Sequence, residues 1–344
     1  MKPAYSLLLK TLLPVAIGIG VVAWLMGSEF SLQQFKEIPW TGRAAYCIAL
    51  ACLFVVGREW GMMWRWRVLT DRKLSWWQTF KVTVMCEFTS AVTPTTAGGS
   101  ALSMVFLKRE GIPLGRGASL SMIQLMLDNL FIVMVCPLLL IFVSDAGLFS
   151  FGGDAAVADG SRLAFWIVYG GVGLLTVFLF LGALVFPHAI AGWIRRLFKM
   201  RWLRRWHEKA VDFGNNMIET GAEIRTRSLR WWVEAMAATV LTWVSRYLVV
   251  NALFMGFAPE ASQLMVFARQ FVVWTLLTVS PTPGGSGVSE WLFATFYGDL
   301  LPTRSMALVI AVVWRVITYY IYLIAGCIML PVWMGRRKKL PDSL

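Results

Sequence analysis

Runs of about 20 apolar residues recur along this chain, the length an α-helix needs to cross the hydrocarbon core of a bilayer. LLLKTLLPVAIGIGVVAWLM, FWIVYGGVGLLTVFLFLGALVF and MALVIAVVWRVITYYIYLIAGCIML are the clearest. A chain built this way folds as an all-α, polytopic membrane helix bundle. Full spans are expected at roughly 5–27, 43–57, 117–143, 163–187, 232–257 and 304–334, in a single membrane domain covering 1–344. The first run is too long, and ends too unlike a cleavage site, for a removable signal peptide. Two further apolar stretches, 77–107 and 263–297, are broken in the middle, by TPTTAGGS and SPTPGGSG.

Charge decides how the broken stretches lie. Arg58, Arg65, Arg67, Arg72 and Lys73 follow the second span, and Lys108, Arg109 and Arg116 follow the first break. Asp145, Asp154 and Asp159 follow the next span. If each broken stretch crossed once, the Lys108–Arg116 loop would lie outside and the acidic 144–162 loop inside, against the positive-inside trend. If each is a re-entrant hairpin, every clearly basic segment is cytoplasmic, as are both termini. The first hairpin then enters from the cytoplasm and the second from outside. TPTTAGGS at 93–100 aligns with SPTPGGS at 280–286 with one gap. This suggests an inverted-topology repeat, with halves near 60–143 and 246–334, as secondary transporters use.

The net charge of +13 is explained by basic cytoplasmic loops, so no nucleic-acid partner is expected. Segment 188–231 is cytoplasmic. In it Ile194, Phe198, Trp202 and Trp206 recur every four residues among arginines and lysine, the pattern of a basic amphipathic helix on the inner leaflet. Cys47, Cys52, Cys86, Cys136 and Cys327 sit in apolar segments without metal-ligand spacing, and read as packing residues.

In lipid, non-helical backbone is tolerated where it is buried in protein or lines a cavity. Pro281 and Pro283 disrupt helix, and Gly284, Gly285 and Gly287 allow a tight reversal. The half-helix starting near Ser286 then presents its first N–H groups to an anion. Thr95, Gly98, Gly99, Ser100 and Ser103 form the counterpart in the first half. The plain alternative is a glycine-rich turn that lets helices pack closely. Ionisable residues inside spans mark function or pairing. Here they are Glu87, Asp128, Arg246, Arg269, Glu290 and Arg315, with Tyr319 one turn beyond Arg315. A structural reading would pair Asp128 with Arg315 and Glu290 with Arg246. Arg246 and Arg269 have a further alternative near the membrane faces, where long side chains snorkel. No His-Glu-x-x-His, Gly-x-Ser-x-Gly or P-loop motif occurs, and His188 and His207 lie in the cytoplasmic segment. No cofactor or metal is expected, and the chain reads as a transporter rather than an enzyme.

Residues 10–334 resemble the lysylphosphatidylglycerol synthase transmembrane-region family of flippase-like membrane proteins. SPTPGGSGVSEWLF is similar to its Pro-Gly-Gly-x-Gly-x-x-Glu signature through Pro283, Gly284, Gly285, Gly287 and Glu290. The span with Arg315 and Tyr319, and the region from Thr93 through Asp128, resemble further family segments. The chain departs from many members at Gln124 and Leu125, where they carry Glu-Arg, and in the first break, where Gly-Gly-Ser replaces an acidic turn. The resemblance implies a stand-alone member that moves membrane phospholipids or a lipid-linked substrate. Its anionic headgroup would bind at Thr95, Gly98, Gly99, Ser100, Asp128, Pro283, Gly284, Gly285, Ser286, Gly287, Glu290, Arg315 and Tyr319. A separate lipid-modifying transferase is an expected partner. The alternative role is a membrane subunit or regulator of a lipid-headgroup-modifying enzyme.

Overall fold

The computed structural model describes residues 41–93, 98–150, 155–199, 207–301 and 304–335. Each remaining helix is numbered in chain order. α1 is Gly42–Leu69, α2 Trp76–Val92, α3 Gly98–Arg109, α4 Leu114–Phe142, α5 Asp145–Leu148 and α6 Ala155–Phe180. α7 is Pro187–Leu197, α8 His207–Arg225, α9 Leu229–Phe257, α10 Gln263–Leu277, α11 Val288–Tyr297, α12 Arg304–Arg315 and α13 Ile321–Gly335. A π-helical turn, Val316–Tyr320, joins α12 to α13. The fold is all-α and polytopic. Among the described residues, five segments are long and apolar enough to cross a membrane: α1, α4, α6, α9 and Val309–Pro331. The expected span at 5–27 lies outside the described residues.

One boundary changes the reading of the interior. The second span was expected to end at residue 57, but α1 runs on to Leu69. Arg58 and Arg65, expected in a cytoplasmic loop, are each 1% exposed inside the bundle.

α1 and α9 form an antiparallel seam of small residues. A methyl group on Gly61 would lie 2.5 Å from Thr242 Oγ1 and 2.9 Å from the Ala238 carbonyl. One on Gly256 would lie 2.9 Å from Cys47 Cβ, and one on Gly57 3.1 Å from Ser245 Oγ. Close backbone approach of this kind is how helices associate in lipid, where hydrophobic burial offers little drive.

The broken stretches are hairpins. At 1.5 Å per residue, the 17 residues of α2 and 15 of α10 rise only about 26 and 22 Å, short of a core of about 30 Å. In the first hairpin, Ser90 Oγ accepts the Gly99 N–H at 3.0 Å near the turn, and Lys81 pairs with Glu110 at the open end. In the second, the Tyr297 hydroxyl donates to Gln270 Oε1 at 2.7 Å and lies 3.1 Å from Val266 O at the open end. The turn between α10 and α11 takes positive φ at Gly284, Gly285 and Gly287, +56°, +73° and +77°. Only glycine adopts such angles freely. The first hairpin is joined to the Leu69 end of α1 and the second to the Phe257 end of α9. Because α1 and α9 are antiparallel, the hairpins enter from opposite ends of the bundle.

Two apolar cores result. One is built around Trp66, Phe88, Leu107 and Leu323, the other around Tyr247, Phe254, Phe271 and Phe293. Between them lies a belt of charged side chains. Outside the bundle, α8 docks on the end where α4 begins. Arg116 pairs with Asp71 and Glu223, at 2.9 and 2.8 Å, and Arg227 pairs with Asp71 at 2.6 Å. α7 exposes Trp193, while Trp202 and Trp206 of the expected stripe lie outside the described residues.

Candidate functional site

The C-terminal end of α2 meets the second turn and the span that follows it. The Gly284 N–H donates to the Thr93 carbonyl at 3.3 Å, and the Tyr319 hydroxyl donates to the Ala91 carbonyl at 3.0 Å. The backbone groups that the breaks free are thus partly satisfied by the opposite half of the chain, as buried backbone must be. A methyl group on Gly284 would run into the Tyr319 ring and lie 2.9 Å from the Ala91 carbonyl.

Beside this contact is a cavity of about 530 Å³, a size suited to a small headgroup. Gly99 from the start of α3 and Gly284 and Gly285 from the second turn line it, together with Asp128, Arg315 and Tyr319. Six of the expected site residues therefore line one cavity. Ser286, Gly287 and Glu290 sit behind its lining. The Glu290 carboxylate accepts the Gly287 N–H at 2.7 Å, capping α11 where a negative charge is stabilised by the helix dipole. Its other oxygen lies 2.7 Å from Arg315 Nε. Arg315 also donates to Gly284 O at 2.9 Å and to Ser286 Oγ at 2.8 Å, and its guanidinium stacks 3.7 Å from the Tyr319 ring centroid. One arginine thus ties the second turn to the tyrosine that holds the end of α2. Pro283 closes the turn through its carbonyl, which accepts the Ser286 N–H. Gly98 opens α3. Thr95 and the Ser100 side chain lie outside the described residues.

The charged belt is paired differently from the expectation. Asp128 pairs with Arg65, not Arg315, and accepts the Trp243 indole N–H at 2.7 Å. Glu290 pairs with Arg315, not Arg246. Arg246 does not snorkel at a membrane face. It pairs with Glu87 at 3.2 Å and stacks on Trp243 and Trp274, at 4.9 and 4.5 Å, on the cavity wall. Glu87 also pairs with Arg58, which stacks 4.7 Å from the Tyr322 ring. Arg269 is buried away from the cavity, paired with Asp299 and donating to Phe296 O and Ser150 O.

Arg58, Glu59 and Arg65 were missed as interior residues. The signal was their spacing: Arg58, Gly61, Met62 and Arg65 recur at helical intervals on one face, next to Gly57. Four guanidiniums, of Arg58, Arg65, Arg246 and Arg315, face the carboxylates of Glu59, Glu87, Asp128 and Glu290. Such pairs are costly to bury, and removing one partner leaves an uncompensated charge.

These features define a polytopic helical membrane protein in which two opposed hairpins close on a central, charge-lined cavity. The chain belongs to the family described as the lysylphosphatidylglycerol synthase TM region, whose match covers residues 11–326. It is similar to a UPF0104 membrane protein of Archaeoglobus fulgidus, 21% identical over 316 residues, covering 88% of this chain and 89% of the relative. It is also similar to a UPF0104 membrane protein of Methanothermobacter thermautotrophicus, 26% identical over 160 residues, covering 45% of this chain and 47% of the relative. No solved structure matches the chain.

Proposed function

We propose that this protein is a translocase for a lipid or lipid-linked substrate in the cytoplasmic membrane. The observation that carries the reading is a cavity lined by residues of both hairpins, with Arg246 and Arg315 on its surface. Guanidinium groups match phosphate geometry, and broken helices near the midplane are where transporters place substrate sites. Asp128, which also lines the cavity, would meet a headgroup amine. The two halves, near 60–143 and 246–334, act as an inverted repeat. One rocks against the other, so that the cavity opens alternately to each face. The positive-inside trend puts both termini and the 108–116 loop in the cytoplasm.

The test is transbilayer exchange of a fluorescent phospholipid in proteoliposomes, read by quenching the outer leaflet. Wild-type protein is expected to speed exchange over protein-free vesicles, and Arg315→Gln to reduce that acceleration at least tenfold. No acceleration in any lipid mixture or under any pH or ion gradient would overturn the reading. The family's description as the membrane region of a synthase supports a second role, a membrane subunit that works with a separate lipid-modifying transferase. Under that reading the purified protein leaves exchange unchanged and a soluble transferase co-purifies with it.

A further inference from the structure

The interior carboxylates are not held alike. Both oxygens of Glu87 meet guanidinium groups, Oε2 that of Arg58 and Oε1 that of Arg246. Both oxygens of Glu290 are engaged, by Arg315 and by the Gly287 N–H. Asp128 receives both Arg65 and the Trp243 indole on Oδ1. Glu59 differs. Its ion contact is Arg58 Nε at 3.4 Å, on an arginine that already grips Glu87. Its one hydrogen bond among the described residues comes from the Tyr322 hydroxyl, 2.8 Å from Oε1. Oε2 is sealed from solvent and, among the described residues, has no hydrogen-bond donor. A carboxylate so placed has given up water without full replacement.

The surroundings define what Glu59 can exchange. The charged and titratable groups that act on it are Arg58 on its own helix, Glu87 on α2, Arg246 on α9 and Tyr322 on α13. Tyr322 lines the central cavity and its hydroxyl donates to the carboxylate, so one side chain links the two. A tyrosine hydroxyl both donates and accepts. It can pass its proton to Oε1 and take another from the cavity, with no other bond changed.

We propose that Glu59 is a proton-binding site, filled from the central cavity through the Tyr322 hydroxyl. With Glu59 ionised, Arg58 and Arg246 are balanced by Glu59 and Glu87. A proton on Glu59 leaves one positive charge uncompensated. Arg246 presents that charge to the cavity, while Arg58 remains on Glu87. An anionic headgroup and a proton then bind together as a neutral pair, which avoids carrying net charge across a low-dielectric interior. The coupling to transport rests on the translocase reading, whereas the proton site stands on the geometry alone.

The experiment is infrared difference spectroscopy of the purified protein in lipid nanodiscs during acidification. Wild type is expected to gain a protonated-carboxyl C=O band. That band is expected to vanish in Glu59→Gln, to shift in Glu59→Asp and to persist in Glu87→Gln. Its persistence in Glu59→Gln, its absence from wild type, or its loss in Glu87→Gln alone overturns the proposal. In proteoliposomes, a pH gradient is expected to change wild-type lipid exchange about tenfold, and Glu59→Gln to remove that dependence. Exchange that responds equally in both proteins overturns the coupling. If no exchange occurs at all while the band behaves as expected, the proton site stands and the translocase reading fails.

Discussion

Gly284 shows how much one missing side chain decides. Its φ of +56° and its place against Tyr319 and the Ala91 carbonyl both demand glycine. Gly287 has a similar angle, +77°, but open space around it. The pair separates strain from contact. Gly287→Ala is expected to cost only the left-handed strain, about 1 kcal/mol. Gly284→Ala adds overpacking, about 1–3 kcal/mol more, because a tyrosine ring or a backbone carbonyl must move. Thermal unfolding in detergent would show the larger loss for Gly284→Ala, and the opposite ranking would contradict the described contact between the second turn and α2. The importance of these glycines was legible from the Pro-Gly-Gly pattern alone. The pairing of the charges was not. Which carboxylate meets which guanidinium depends on the rotation of each helix about its axis, and a single sequence carries no record of that. Arg58 and Arg65 were hidden for a related reason. A charge at the end of an apolar run reads as the start of a loop unless a partner is already known.

At the scale of elements, the open end of the first hairpin is clamped to the last helix. Glu110 pairs with Lys81 and accepts the Trp333 indole N–H at 2.8 Å, and Arg109 stacks 4.9 Å from the Trp333 ring. Burial pushes the Glu110 carboxyl up, but its hydrogen bonds from Lys81 and Trp333 outweigh this and hold it below the usual carboxylate range. The sign follows. A carboxyl depressed on folding contributes its full share of stability above the unfolded value, and loses it as pH falls through the lower, folded value. Glu110→Gln is expected to lower the unfolding temperature at neutral pH and to flatten its decline in acid. An unchanged acid limb would show that the clamp does not titrate. The hairpins themselves were legible, because charge placement and breaker residues agreed on them. The length of α1 was not, since its second half is anchored by ion pairs and by the glycine seam with α9 instead of by apolar residues.

For the molecule as a whole, the sequence-based topology assigns a side to every loop. In a cysteine-free background, a cysteine at Gly111 and one at Asp159 are expected to react with a membrane-impermeant maleimide from opposite faces, Gly111 from the cytoplasm. Labelling of Gly111 from outside and of Asp159 from the cytoplasm would refute the re-entrant arrangement of the first hairpin. The meeting of the two hairpins at one cavity is a property of this scale. It was foreseeable as a possibility from two related breaks of opposite direction, but its partners were not. The hydrogen bond from Tyr319 to Ala91 joins residues 228 positions apart, and nothing local announces such a bond.

That bond also sets an order of events during synthesis. The Ala91 and Thr93 carbonyls reach their partners, the Tyr319 hydroxyl and the Gly284 N–H, only after most of the chain has been made. At roughly 5–20 residues per second, the first hairpin waits about 10–50 s for them. Throughout that interval its turn carries bare carbonyls that lipid cannot satisfy. The nascent first half must therefore be sheltered, by the insertion machinery or at the aqueous interface, until the second half arrives to receive it.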